Sequence, residues 1–409
     1  MRRCTLDELP SLRREPVDAE TLVAAGRLVE EVRKGGEAAL RACAERLGDL
    51  VPGATMVRER AELEAALDGL PAADRAMLER TTARIRGFAE AQRRALGEPD
   101  VAVPGGRAGL RYQPVERAGC YAPGGRYPLP SSVLMTAVTA RAAGVKEVWV
   151  ASPRPAQVTL AAAALAGADA LLAVGGAQAI AAMAYGAGPV PACDALVGPG
   201  NRWVTAAKQL VAGRVAIDML AGPSELVALA DRSADPELVA ADLLAQAEHD
   251  PDALPILVAA DVAVAERILA AAERQLADLP TQEIARAAMR GGLCVITERL
   301  AEAANRLAPE HLALHVADPD ALRPALVHYG ALFVGEGAAE VLGDYGAGPN
   351  HVLPTGGTAR SFGGLSVLTF LRAQAWLRME HAGELAADAA QLARLEGLEA
   401  HARAADRRR

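Results

Sequence analysis

Aromatic residues make up only 3 % of this 409-residue chain. Its core cannot rest on stacked rings and must be built from many small aliphatic contacts, chiefly of alanine. Cysteine is sparse and scattered: Cys4, Cys43, Cys120, Cys193 and Cys294 show no C-x-x-C spacing. An odd, dispersed set argues against a disulfide framework and fits reduced thiols in a cytoplasm. Positive charge is in deficit, with 43 Lys and Arg against 51 Asp and Glu and a net charge of -8. No basic stripe offsets it, so nucleic acid is not expected as a main partner, and the basic end Arg407-Arg408-Arg409 is short enough to be solvated. The first residues lack the apolar core of a signal peptide. The longest weakly charged stretch, 155–193, carries Asp169, glycines and prolines and is too alanine-rich for a membrane span. The expectation is a soluble, cytoplasmic protein without membrane contact.

What is present is a chain long enough for two or more cores. Residues 1 to about 100 read as helical and polar, with apolar residues at three- and four-residue spacing over 22–47 and 58–94. The turn-rich stretch 99–109 holds Pro104-Gly105-Gly106 and reads as a break. From Val145 to Ile217, β-branched runs alternate with alanine-rich helical segments, the pattern of a parallel sheet covered by helices. A second series of the same kind runs from Leu226 to Val334. A Gly/Pro/Ser-rich loop follows over 346–366, and the end, about 380–405, reads as helix. The fold class expected is therefore α/β, with two incomplete Rossmann-like parallel-sheet domains, a helical N-terminal segment and a C-terminal helical tail.

Several short segments could carry chemistry. Gln246 and His249 are three apart at the end of a helix and leave the same face. Imidazole is a natural zinc ligand and an amide oxygen an unusual one. Taken alone, such a histidine is more often a cap or solvated. Glu310-His311 stands where a helix runs into a strand, suited to two proton acceptors or to a turn with two exposed polar groups. Asp344 opens the glycine-rich loop containing His351 and could be a third ligand or a turn aspartate. Glu396 and His401 are five apart in the terminal helix, so they do not stack on one face. Gly175-Gly176-Ala177-Gln178 and Gly198-Pro199-Gly200-Asn201 are strand, glycine turn and helix start, a layout that favours polar or anionic ligands. Neither is a G-x-G-x-x-G, so a motif search alone does not predict a dinucleotide.

Taken in order, these blocks resemble the histidinol dehydrogenase family along nearly the whole chain. They are Gly119-Cys120-Tyr121-Ala122-Pro123-Gly124-Gly125, Gly175-Gly176-Ala177-Gln178-Ala179-Ile180, Gly198-Pro199-Gly200-Asn201, Ile217-Asp218-Met219 with Ala221-Gly222-Pro223-Ser224-Glu225, Gln246-Ala247-Glu248-His249, Pro309-Glu310-His311-Leu312, and Gly343-Asp344-Tyr345 with Asn350-His351-Val352-Leu353-Pro354-Thr355. The resemblance implies zinc held by Gln246, His249, Asp344 and His401, and proton acceptors in Glu310 and His311. It implies NAD contacts in Tyr121, Gln178 and Asn201, and substrate contacts in Ser224 and Glu396 together with the zinc ligands and His311. The implied reaction takes L-histidinol through the aldehyde to L-histidine with two NAD, the last steps of histidine biosynthesis.

The resemblance also implies a homodimer with exchanged tails. The expected division is an N-terminal segment 1–20, a zinc-bearing domain of 21–120 and 226–365, an NAD domain 121–225, and a tail 366–409 reaching the partner's site. A dehydrogenase of another amino alcohol or diol on the same scaffold is the alternative; Glu396, suited to meet an ammonium, favours histidinol. A non-catalytic α/β protein with a structural metal would have no need of the proton acceptors and NAD contacts.

Overall fold

The computed structural model describes residues 1–9, 17–124 and 127–409; Gly125, the last residue of the first motif block, lies outside them. Two six-stranded sheets carry the molecule. The first runs, from edge to edge, through Arg2–Thr5, Leu293–Ile296, Leu254–Ala259, Glu225–Ala230, His311–His315 and Ala331–Val334, all parallel. Its inner strands are buried on both faces, as sheets covered by helices must be. The second runs through Val57–Glu59, Ala170–Leu172, Glu147–Ala151, Arg117–Tyr121, Ala195–Val197 and Ala216–Ile217, with only the Val57–Glu59 edge antiparallel. The α/β class and the helical ends expected from the sequence are what the structure has.

The allocation of residues 21–120 differs from the expected division. Helix Ala19–Arg46 turns Ala25, Val29, Val32 and Leu40 into the same core as the alanine-rich helix Gly176–Tyr185 and helix Arg202–Val211. Strands Val57–Glu59 and Arg117–Tyr121 belong to the second sheet, so this segment lies with 147–217 rather than with 226–365. Alanine on the receiving helices permits the close approach, and that partner choice is not encoded in the helix's own periodicity. Conversely, Arg2–Thr5, placed in a separate N-terminal segment, pairs with Leu293–Ile296 and edges the first sheet. The stretch read as a break is a hairpin: Asp100–Val103 pairs with Gly106–Pro114 across Pro104-Gly105, with Gly105 at φ 77. Strand Leu371–Met379 joins as a third, in the stretch between the expected loop and the expected terminal helix. Within the second series, helix Gln282–Gly291 precedes strand Leu293–Ile296, and the link between the last two strands forms only the short helix Pro319–Leu322 with a 3-10 turn after it.

Candidate active site

The two halves meet with opposite ends of their strands. In the first sheet the functional side chains stand at the amino ends of strands Glu225–Ala230 and His311–His315. Helix Leu300–Leu307 is closed by Ala308 in the left-handed conformation, which turns Glu310 and His311 inward. Both are buried, at 5 % and 3 % exposure, so the turn with two exposed polar groups is excluded. The Glu225 amide donates to Glu310 Oε2 at 2.8 Å, and the Glu225 carbonyl lies 3.0 Å from His311 Nδ1. A carbonyl can only accept, so Nδ1 carries a hydrogen, and in the neutral ring the lone pair belongs to Nε2. That Nε2 is buried and has no hydrogen-bond partner among the described residues.

Around His311 stand three acids. Glu310 Oε2 and Glu340 Oε1 are 3.7 and 3.6 Å from Nδ1, and Asp344 Oδ1 is 3.7 Å from Nε2. Burial opposes the charging of His311, but Glu340 and Glu310 outweigh it and push the ring up to about 10. Burial raises Glu310 and Glu340 each to about 8. Asp344 is also desolvated, yet His311 beside it holds its carboxyl below the usual range.

Helix Pro236–Ala247 brings up Gln246, fully buried with neither amide atom hydrogen-bonded among the described residues. Just past the helix end, the half-exposed His249 places Nε2 3.7 Å from Asp344 Oδ2 and 4.0 Å from Glu340 Oε1. Donor atoms of His249, Glu340 and Asp344 lie within 4.8 Å of one another. Zinc bonds of about 2 Å place ligand atoms roughly 3–4 Å apart. The spacing, the surplus of carboxylates and the orphaned Gln246 amide fit a divalent cation. Glu340 was not singled out in the sequence, although Glu340 and Asp344 at i and i+4 of one short helix are a readable signal.

Behind these groups, His315 Nε2 meets Asp242 Oδ2 at 3.0 Å, tying strand His311–His315 to the helix that carries Gln246. His351 Nδ1 donates to the Asp344 carbonyl at 3.0 Å, and its Nε2 is 3.4 Å from Ser132 Oγ of the second half. The neighbouring Asn350 amide donates to the Met135 carbonyl at 2.8 Å, inside a π-helical turn, Leu134–Val138. Such turns free a carbonyl from the regular ladder. Ser224 is half-buried, next to a cavity of about 420 Å³ lined by Met219, Gly222, Glu225, Thr355 and Phe362.

The second sheet offers the carboxyl ends of its strands. Tyr121 ends strand Arg117–Tyr121, and its hydroxyl accepts from the Gly176 amide at 3.1 Å. Burial pushes this phenol up to about 12, which keeps it protonated. Gln178 is buried in the first turn of helix Gly176–Tyr185. Asn201 caps helix Arg202–Val211, its Oδ1 accepting from the Trp203 and Val204 amides. Tyr121 and Gln178 are thus brought to one rim, with the Asn201 turn beside Tyr121: a Cβ on Gly198 would lie 2.0 Å from the Tyr121 carbonyl oxygen. Glu396 and His401, by contrast, are exposed on the terminal hairpin. Among the described residues neither has a hydrogen bond or ion pair to the Gln246–His249–Asp344 cluster.

The sequence model of the histidinol dehydrogenase family matches residues 12–409. The chain belongs to the histidinol dehydrogenase family. It is 53 % identical to histidinol dehydrogenase of Thermus thermophilus over 334 residues, covering 80 % of this chain and 81 % of the relative. It is 43 % identical to that of Dechloromonas aromatica, covering 93 % and 90 %. The crystal structure of histidinol dehydrogenase from Elizabethkingia anophelis superposes with a TM-score of 0.93 at 30 % identity, over 100 % of this chain and 98 % of that one. As a member of the histidinol dehydrogenase family the chain is an oxidoreductase of histidine biosynthesis. Among the described residues no helix is long and apolar enough to cross a membrane.

Proposed function

We propose that the chain oxidises L-histidinol through the aldehyde to L-histidine, with zinc and two NAD, in the cytoplasm. The observation that carries this reading is the orientation of His311: Nδ1–H is held on the Glu225 carbonyl, so that Nε2 is the base beside Asp344 once a cation offsets the surrounding carboxylates and the ring is neutral. Gln246, His249, Asp344 and His401 of the partner subunit would hold zinc, which supplies an anchor for the substrate's imidazole and amino nitrogens and offsets the surrounding carboxylates. Tyr121, Gln178 and Asn201 would hold NAD, which supplies the hydride acceptor for each step.

Within that frame His311 takes the hydroxyl proton at Nε2 as hydride leaves the carbinol carbon. Glu310, raised to about 8 by burial, removes a proton from water as the water adds to the aldehyde. In that addition His311 returns its proton to the carbonyl oxygen, which frees Nε2 to take a hydroxyl proton of the hydrated aldehyde as the second hydride leaves. Ser224, together with Glu396 of the partner subunit, positions the substrate, and a closed site keeps the aldehyde from escaping. The supporting observation for a shared site is the terminal hairpin, helices Gly383–Leu395 and Glu399–Asp406. It closes its own small core of Ala390, Ala393 and Ala402 and leaves Leu392 and Leu395 58 % and 79 % exposed. An apolar face of this kind is suited to a second copy. The test is turnover with histidinol and NAD, expected to give two NADH per histidinol; release of the aldehyde after one would refute the two-step reading.

A further inference from the structure

A cofactor rim needs more than the residues that touch the dinucleotide in common. It also has to decide between NAD and NADP, which differ by one phosphate on the adenosine ribose. Dinucleotide sites usually settle this with a carboxylate that accepts from the 2′-hydroxyl, or with an arginine that takes the 2′-phosphate. Asp49, from the loop after helix Ala19–Arg46, reaches this rim. Its Oδ2 accepts from the Gly175 amide and from Gln178 Nε2, both at 3.0 Å. The loop is firm: the Asp49 and Leu50 amides both donate to the Ala44 carbonyl, and Leu50 is buried.

The amino end of helix Gly176–Tyr185 would otherwise be a natural seat for a phosphate. Here its first amides are already taken, Gly175 by the Asp49 carboxylate and Gly176 by the Tyr121 hydroxyl. The strand-end loops are also tightly closed, since a Cβ on Gly175 would lie 2.7 Å from the Pro153 side chain. An anion is built into this corner. A hydroxyl can still donate to a carboxylate, whereas a dianionic phosphate meets like charge.

We propose that Asp49 sets the cofactor preference of this site, accepting a hydrogen bond from the ribose 2′-hydroxyl of NAD and repelling the 2′-phosphate of NADP. The inference rests on the reading that Tyr121 and Gln178 hold the dinucleotide. It is tested on the full-length zinc-loaded enzyme by comparing kcat/KM for NAD and NADP in Asp49→Asn and Asp49→Ser. Asn keeps an acceptor oxygen for Gly175 and Gln178 while removing the charge. The NADP-to-NAD ratio should rise at least about tenfold in both variants, more at low ionic strength. A purely structural Asp49 would weaken both cofactors alike, and a ratio within about twofold of the parent overturns the proposal. Gln178→Ala keeps the two questions apart. An unchanged KM for NAD in that variant removes the cofactor from this rim altogether, and a raised KM with an unmoved Asp49 ratio removes only the role of Asp49.

Discussion

A buried carboxylate without hydrogen bonds is costly; among the described residues neither Glu340 oxygen has one, and Oε1 lies 4.0 Å from His249 and 3.6 Å from His311. A cation held as proposed at the Gln246–His249–Asp344 cluster would stabilise its charge, whether or not Glu340 binds it directly. Glu340→Gln should therefore weaken zinc retention about tenfold or more, read by competition with a chelator. Unchanged zinc affinity would remove Glu340 from the metal's surroundings. Glu310→Gln should spare histidinol oxidation to the aldehyde far more than aldehyde oxidation to the acid, while His311→Asn should impair both. Equal damage to both half-reactions in Glu310→Gln would refute the assigned division. The Glu310-His311 pair was legible in the sequence, but its tautomer was not. Nδ1 is fixed by the carbonyl of Glu225, 86 positions away on the adjacent strand. Glu340 was missed although its i, i+4 spacing to Asp344 could be read, because a five-residue helix has no wider period to mark it as helix.

At the level of elements, strong periodicity was readable and partner choice was not. The alternating strands and helices of 145–334 fall close to their expected places, because each buries itself against neighbours in sequence. The hairpin over 100–114 was hidden by its own turn, since Pro104-Gly105-Gly106 marks a loop end and a hairpin equally well. Two elements make sharp expectations. Asp242→Ala would leave His315 buried beside an empty place and loosen the helix that presents Gln246. Unfolding should become easier by about 1–3 kcal/mol in denaturant titration, with zinc affinity falling in step. Loss of stability without loss of zinc affinity would show that the His315 contact does not position Gln246. Gly198 sits at φ 117, and a Cβ there would clash with the Tyr121 carbonyl. Gly198→Ala should cost about 1–3 kcal/mol and raise the KM for NAD more than that for histidinol. An equal rise in both would mean that the turn does not serve the cofactor.

For the whole molecule, the question is whether the hairpin holding Glu396 and His401 completes a neighbour's site. Co-expression of His311→Ala with His401→Ala, each inactive alone, gives mixed dimers with one doubly damaged site and one intact site if tails are exchanged. Random pairing makes about half the dimers mixed, so roughly a quarter of sites should work. Activity no higher than either variant alone, with mixed dimers present, would rule out exchange. The topology also governs how the chain is born. Most of the second half is a single run of sequence and can begin to close while synthesis continues, with Val352, Leu365, Val367, Phe370 and strand Leu371–Met379 joining its core and edge later. Strand Arg2–Thr5 has its partner in Leu293–Ile296, about 290 positions later, and must wait for that strand before it can pair. An edge left open that long invites capture by other nascent chains. Its sequence, Arg2-Arg3-Cys4-Thr5, answers with two adjacent positive charges, the kind of mark that discourages strand-to-strand association on the ribosome.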